Sequence, residues 1–363
     1  MKRVFRVGGC VRDKLLGLTP KDIDFVVVGA TPEEMIADGF VQVGADFPVF
    51  LKDGFEYALA RKERKVAAGY HGFETEFDIS VTLEEDLIRR DLTINSMAQD
   101  LETGEIIDPF GGREDLKNKV LRHTSEAFAE DPLRVLRVAR FAARYQDFKV
   151  ADETLELMKR IVRSGELQHL SQERIVLEFE KAFSEPDPMR FIACLFHTGA
   201  LHVIFPELAE VVAARRPADF ITWIIVLRDL KDVRERLAFL LIHFAIDNIA
   251  KISDRMKFPS EVKELALDYL SFKSKYNWDA TNTVNLFDQF KVAHDPQHFW
   301  RVFHMFNVIN EDHQKDPSRA LRLIFDYNSV NAGSLAEDIV HLKGKAIGEF
   351  IRKKRIAKIE NWF

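Results

Sequence analysis

Cysteine is scarce in this chain: Cys10 and Cys194 are the only two among 363 residues, far apart and without metal-ligand spacing. That excludes a disulfide framework and suits a reducing compartment, with each thiol serving as a small buried apolar side chain. Long hydrophobic runs are also missing. The longest, Phe220–Leu227 and Leu237–Ile246, fall short of the roughly 18 residues of a membrane span, and "MKRVFRVGG" has no apolar signal region. A cytoplasmic protein without a membrane partner is expected. No Pro-, Gly- and Ser-rich tract separates folded parts, so the chain should be globular throughout. Positive charge is not in excess either. A net charge of −6 gives no bulk attraction to nucleic acid, which would have to be held by local basic patches.

What is present is core material, 47% of residues being hydrophobic, and a length that implies more than one domain. Up to about residue 110 the apolar pattern has period 2. Strands are expected at Val4–Val7, Asp22–Val28, Phe47–Leu51, Tyr57–Ala60 and Phe77–Val81, and "TPEEM" reads as a helix start with Thr31 as N-cap. From about Glu130 the period becomes 3.6 and no strand is expected to the end. The expected fold class is α+β, a small mixed sheet followed by helices.

Two short motifs near the start point to chemistry. In "DIDF" Asp22 and Asp24 stand at i and i+2 of a strand and share a face, so two carboxylates enter one site. A divalent cation resolves their repulsion, Mg²⁺ taking a few carboxylates plus phosphate oxygens and water. The alternative is a solvated strand edge. Gly8-Gly9 after the strand Val4–Val7 lets the backbone approach a ligand with free N–H groups, and Arg12 is placed to bind phosphate.

Together with "RRDLTINSMA" (Arg89–Ala98), "DPFGG" (Asp108–Gly112), "EDPLRVLRVARFAARY" (Glu130–Tyr145) and "QER" (Gln172–Arg174), these motifs resemble the ordered series of bacterial class II tRNA nucleotidyltransferases, the CCA-adding enzymes. The resemblance is dense over residues 1–180 and weak beyond. It implies a polymerase-β-like head followed by an all-α neck, body and tail in a seahorse shape. The corresponding divisions are residues 1–125, 126–195, 196–275 and 276–363. It implies addition of CMP twice and AMP once to the tRNA 3′ end, with CTP and ATP as substrates, tRNA as partner and Mg²⁺ as cofactor. A monomer or weak dimer is expected.

By the same resemblance Asp22 and Asp24 would ligate Mg²⁺, while Gly9, Arg12 and Arg90 would contact the nucleotide, with Asp91 and Asn95 near its sugar. Asp131 and Arg134 would form the amino-acid template that reads C or A, Glu130 would hold the arginine, and Arg137 and Arg140 would add nucleotide contacts. A capped amphipathic helix with solvated charges is the rival reading of "IRRDLTINSMAQ". The cluster Arg61, Lys62, Arg64 and Lys65 matches the family's flexible loop, and Asp78 would be a third metal ligand. Lys353, Lys354 and Arg355 would meet the tRNA backbone or, equally, form a solvated helix face.

The resemblance fails at "RLAFLLIHFAIDNIA", where Phe244 follows His243 in place of the aspartate of an HD phosphohydrolase, so no phosphatase activity is expected. His294-Asp295 reads as a turn, and His197, His202 and His243 as core or surface histidines. A poly(A) polymerase, a partial enzyme adding only CC or only A, and a non-catalytic tRNA-binding protein remain as alternatives.

Overall fold

The computed structural model describes residues 2–44, 49–65, 73–76, 79–275, 279–310 and 317–362. Two compact units divide the chain, Met1–Ala214 and Arg215–Phe363. The division placed after residue 195 by sequence falls inside a helix, Pro188–Thr198.

The first unit begins with β1 (Arg3–Val7), α1 (Gly9–Leu15), β2 (Asp24–Val28), α2 (Pro32–Ala37), β3 (Val41–Val43), β4 (Val49–Lys52) and β5 (Phe55–Leu59). A two-stranded ribbon, β6 (Lys62–Lys65) and β7 (Phe73–Glu76), then leads to α3 (Leu83–Leu87), β8 (Ala98–Asp100) and β9 (Ile106–Ile107). The sheet order is β3-β4-β5-β2-β1-β8-β9. The β2–β5 pair is parallel and aligns Asp24 with Glu56, whereas β1 pairs antiparallel with β2 and sets Val7 beside Asp24. Apolar residues cover both faces: Phe5, Val7, Val26 and Ala98 on one, Val27, Met35, Phe50 and Leu59 on the other. The alternation follows from the strand period of two.

Local chemistry sets the element starts. Thr31 caps α2 as expected, and Thr82 caps α3: each hydroxyl accepts the N–H of the residue three on, whose Glu side chain answers the cap's own N–H. Such caps contribute about 1 kcal/mol each. The Thr82 cap also explains why the expected strand Phe77–Val81 does not form among the described residues. Ile79 and Ser80 make a turn, and buried Val81 leads directly into the cap. Phe77 and Asp78 lie outside the described residues, and with them the expected third metal ligand. Likewise the segment expected as a basic loop is partly strand, since β6 and β7 pair antiparallel with Lys62 opposite Glu76; residues 66–72 are not described.

After β9 come α4 (Gly112–Asn118), β10 (Val120–Leu121), α5 (Leu133–Arg144), β11 (Lys149–Val150), α6 (Asp152–Arg163), α7 (Gln172–Phe183), α8 (Pro188–Thr198), α9 (Ala200–Ile204) and α10 (Pro206–Ala213). The two-residue β11 corrects the expectation of no further strand: Lys149 and Val150 pair parallel with Val120 and Leu121. So short a strand leaves no periodic signal. Helix α5 packs on α7 and α8 through Val135, Leu136, Val138, Ala139 and Ala142, all buried. Its arginines therefore lie on the opposite stripe.

The second unit, as described, is helical: α11 (Pro217–Asp229), α12 (Val233–Leu241), α13 (Ile246–Met256), α14 (Ser260–Lys275), α15 (Ala280–Gln289), α16 (Pro296–Ile309), α17 (Pro317–Ser329), α18 (Ala336–Ile339) and α19 (Lys345–Ile359). Phe272, Phe287, Phe299 and Phe303 form an edge-to-face aromatic cluster at its centre. No helix among the described residues is long and apolar enough to cross a membrane.

Candidate active site

A cavity of about 550 Å³ in the first unit gathers most of the residues singled out by sequence. It is lined by Gly8, Gly9 and Arg12 from the start of α1, Asp22 and Asp24 at β2, Arg89–Asp91 and Asn95, and Asp131, Arg134, Arg137 and Arg140 around α5. Eight arginines and four aspartates form the charged part of the wall, so the cavity carries a surplus of positive charge suited to a polyanion. Arginine rather than lysine gives planar donor forks that match phosphate oxygens.

Asp22 lies in the lead-in to β2, not inside it as expected, yet opens on the same cavity as Asp24. Burial raises the Asp24 carboxyl above its usual range; Arg90 pulls it down and the Asp22 charge pushes it up. Two acids that disfavour each other's ionisation at a polar cavity fit a divalent cation. Among the described residues no group of three or more His, Cys, Asp or Glu converges as a metal site. A cation held here would therefore complete its oxygen shell with water or ligand oxygens.

The glycines have steric reasons. Gly8 has φ of 72°, and a Cβ there would stand 2.9 Å from Arg90 Nη1. Any side chain would thus strain the backbone and crowd Arg90, whose charge lowers the Asp24 carboxyl. Gly112, the last glycine of "DPFGG", has a Cβ position overlapping the Thr93 carbonyl oxygen. Asp108 caps this turn, accepting from the N–H groups of Gly112 and Arg113 at 2.7 and 2.9 Å. The motif thereby braces the segment that carries Asp91 and Asn95. That segment turns as a short 3-10 helix, Thr93–Asn95, rather than as the amphipathic α-helix of the rival reading.

Behind the arginines stands a layer of acids that sequence reasoning left unassigned. Asp13 accepts from Arg12 Nε and Nη2 at 2.9 and 2.8 Å, while Arg12 also donates to Asn95 and lies over the rings of Phe141 and Tyr145. Arg144 approaches the other Asp13 oxygen at 3.4 Å. Fully buried Asp86 receives Arg89 at 2.7 Å and Arg90 at 3.2 Å. Burial alone would raise its pKa, but the two guanidiniums hold it below the carboxylate range. Glu178, on α7, holds Arg140 Nε at 2.7 Å. The only local signal for these acids is an Asp one residue after Arg12 and another three before Arg89; nothing near Arg140 points to Glu178.

Glu130 ends a 3-10 turn, Glu126–Glu130, just ahead of α5. Asp131 caps the N–H of Leu133 at 3.1 Å and pairs with Arg174, while Arg134 Nη1 donates to the Ala127 carbonyl at 2.7 Å. Pro132 is the N-cap residue of α5.

The remaining residues lie elsewhere. In the second unit Lys353 and Lys354 are exposed on α19, but Arg355 is taken up internally: it donates to the Val330 carbonyl at 3.0 Å and its guanidinium lies 3.9 Å from the Tyr327 ring centroid. His243 stacks on Trp223 and accepts from Arg215 at 3.1 Å; burial pushes its pKa down to about 3, so the ring is neutral. His294 sits in a turn ahead of Asp295, the N-cap of α16. His197 and His202 are exposed.

Known proteins of similar sequence and fold agree on one family. Residues 4–122 match the family described as "Poly A polymerase head domain", and residues 147–211 match "Probable RNA and SrmB- binding site of polymerase A". A protein of Pseudomonas putida (strain W619) named "CCA-adding enzyme" is 43% identical, covering 99% of this chain and 98% of its own length. A solved structure described as "The complex structure of CCA-adding enzyme with ATP" superposes with a TM-score of 0.72 at 25% identity, over 99% of this chain and 86% of that one. Another, "Structure of tRNA-processing enzyme with CTP", gives 0.69 at 25% identity, over 99% and 97%.

Proposed function

The chain belongs to the CCA-adding enzymes, and on that premise we propose that it is a tRNA nucleotidyltransferase that adds CCA to the 3′ end of tRNA from CTP and ATP. The observation that carries this reading is the single cavity in which Asp22 and Asp24 face a wall of arginines. Complete CCA addition, rather than poly(A) synthesis or partial addition, agrees with the names of the relatives.

The residues divide the work by chemistry. Asp22 and Asp24 would hold the divalent cation that the family implies, Mg²⁺ by its preference for carboxylate, phosphate and water oxygens. Such an ion supplies positive charge against the α-phosphate and the primer 3′-hydroxyl. Arg12, Arg90, Arg137 and Arg140 bind the triphosphate, and the acids behind them keep their donors oriented before substrate arrives. The Gly9 backbone approaches the phosphates. Asp91 and Asn95, joined through Asn95 Nδ2 at 2.8 Å, orient the sugar side. Asp131 accepts from the exocyclic amine shared by cytosine and adenine while Arg134 donates to the neighbouring ring nitrogen. Glu130 supports Arg134. In the second unit exposed Lys353 and Lys354 would meet the tRNA backbone, with Arg355 fixing their helix.

The experiment is extension of tRNA lacking its 3′ end, with Mg²⁺ present. Three added nucleotides with CTP and ATP, and a stop at two with CTP alone, are expected. Asp24→Ala should bind tRNA without extending it. Long A tails, or extension by Asp24→Ala at the native rate, would overturn the reading.

A further inference from the structure

The two residues that would read the base are each held by another part of the chain. Arg134 is anchored by the Ala127 carbonyl. Asp131 is anchored by Arg174, 43 residues further along, whose Nη2 lies 3.2 Å from Oδ1 and 3.0 Å from Oδ2. Oδ1 also takes the Leu133 N–H, so the carboxylate is gripped by a backbone donor on one side and by one guanidinium nitrogen across both oxygens. Arg174 is itself fixed: its N–H donates to Ser171 Oγ, the N-cap of α7, and its side chain reaches the cavity wall. Asp131 and Arg174 are each 27% exposed at the side chain, dry enough for the contact to orient and open enough for a base edge to reach the carboxylate.

We propose that Arg174 is a positioning residue for base selection, holding the Asp131 carboxylate in the orientation that accepts the exocyclic amine of cytosine or adenine. This rests on the reading of the cavity as a nucleotide site. An ionised carboxylate can only accept hydrogen bonds, so a base edge offering a carbonyl oxygen at that place, as uracil and guanine do, meets repulsion rather than a donor. That discrimination lasts only while the carboxylate cannot swing aside. Arg174 removes that freedom without touching the base, and thereby makes rejection of the wrong base part of the resting protein.

The test compares kcat/KM for CTP against UTP, and for ATP against GTP, on tRNA primers ending one step before each addition. It uses the wild type, R174A, R174K, D131A and the double variant R174A/D131A. In R174A the preference for the correct base is expected to fall about tenfold or more, the scale of one good base contact. R174K should recover part of it, because its single ammonium nitrogen can bridge both oxygens as Nη2 does. The double variant should discriminate no worse than D131A alone, since both changes remove one device. If R174A loses CTP and UTP turnover by the same factor, or keeps the wild-type ratio while D131A loses it, this inference falls and the reading of the cavity stands. If D131A keeps the ratio as well, both the template role and this inference fall. Should R174A not fold, judged by its thermal transition, R174M, which keeps a long stem without any donor, takes its place: a wild-type ratio overturns the proposal, and a reduced ratio supports it.

Discussion

Arg137 donates from Nε and Nη2 to a single oxygen of Asp91, Oδ2, at 2.8 and 2.7 Å, tying the middle of α5 to a segment 46 residues earlier. The other Asp91 oxygen accepts from the Leu92 N–H and from Asn95 Nδ2, both at 2.8 Å. This carboxylate joins α5 to the segment that carries Asp91 and Asn95.

A pH dependence follows from that pair. Burial opposes ionisation of Asp91, but Arg137 and Asn95 overcome it and hold the carboxyl well below its usual range, while Asp91 in turn raises Arg137. A depressed carboxyl contributes stability in full above its unfolded value of about 3.9 and loses it as pH falls towards the folded value. Asp91→Asn should therefore cost about 3 kcal/mol at pH 7, in chemical denaturation, with the deficit shrinking below about pH 4. A deficit that stays constant across that range would contradict the pairing.

Glu178 gives a kinetic expectation. It is buried behind Arg140, whose Nε it accepts at 2.7 Å. Glu178→Ala should leave that arginine unanchored and raise KM for both nucleotides about tenfold, the loss of one charge-assisted hydrogen bond. Steady-state kinetics with CTP and ATP would measure it; an unchanged KM would mean that Arg140 takes no part in triphosphate binding.

At Gly112 the expectation concerns stability. A Cβ would overlap the Thr93 carbonyl, which is backbone and cannot rotate away. Gly112→Ala should lower stability by about 1–3 kcal/mol and perturb the Asp91–Asn95 segment. A melting temperature equal to that of the native chain would show that the turn has room to shift.

The second unit contains a pair of opposite sign in its pH response. His304 Nδ1 lies 2.9 Å from Glu235 Oε2, and this hydrogen bond, against a smaller cost of burial, raises the imidazole pKa. A raised histidine contributes stability below its unfolded value of about 6.5 and loses it as pH rises through the folded value. His304→Gln should lower the thermal midpoint more at pH 5.5 than at pH 8.5. Equal losses at both would remove the ion pair from the account.

Much of the site was legible in one dimension because its parts are short and locally determined. The paired glycines after β1, the Thr31 cap and the arginine stripe of α5 follow from local pattern, where neighbours in sequence are neighbours in space, whereas Asp22 lies ahead of the strand that was to hold it. The same locality revealed the period change near Glu130 and the helical remainder. It failed at Ile79–Val81, which turn into the Thr82 cap instead of continuing as a strand, and at Lys149–Val150, where two residues pair with a partner nearly thirty positions earlier.

Sequence alone thus determined which chemical groups the protein owns and which local element carries each. Tertiary structure decided how those groups are held: Arg140 by Glu178, Arg137 by Asp91 and Arg144 by Asp13, across 38, 46 and 131 residues of chain. The reason is physical. A guanidinium binds whichever carboxylate packing brings within about 3 Å, and that proximity is a property of how helices and sheet close on one another rather than of any periodic signal along the chain.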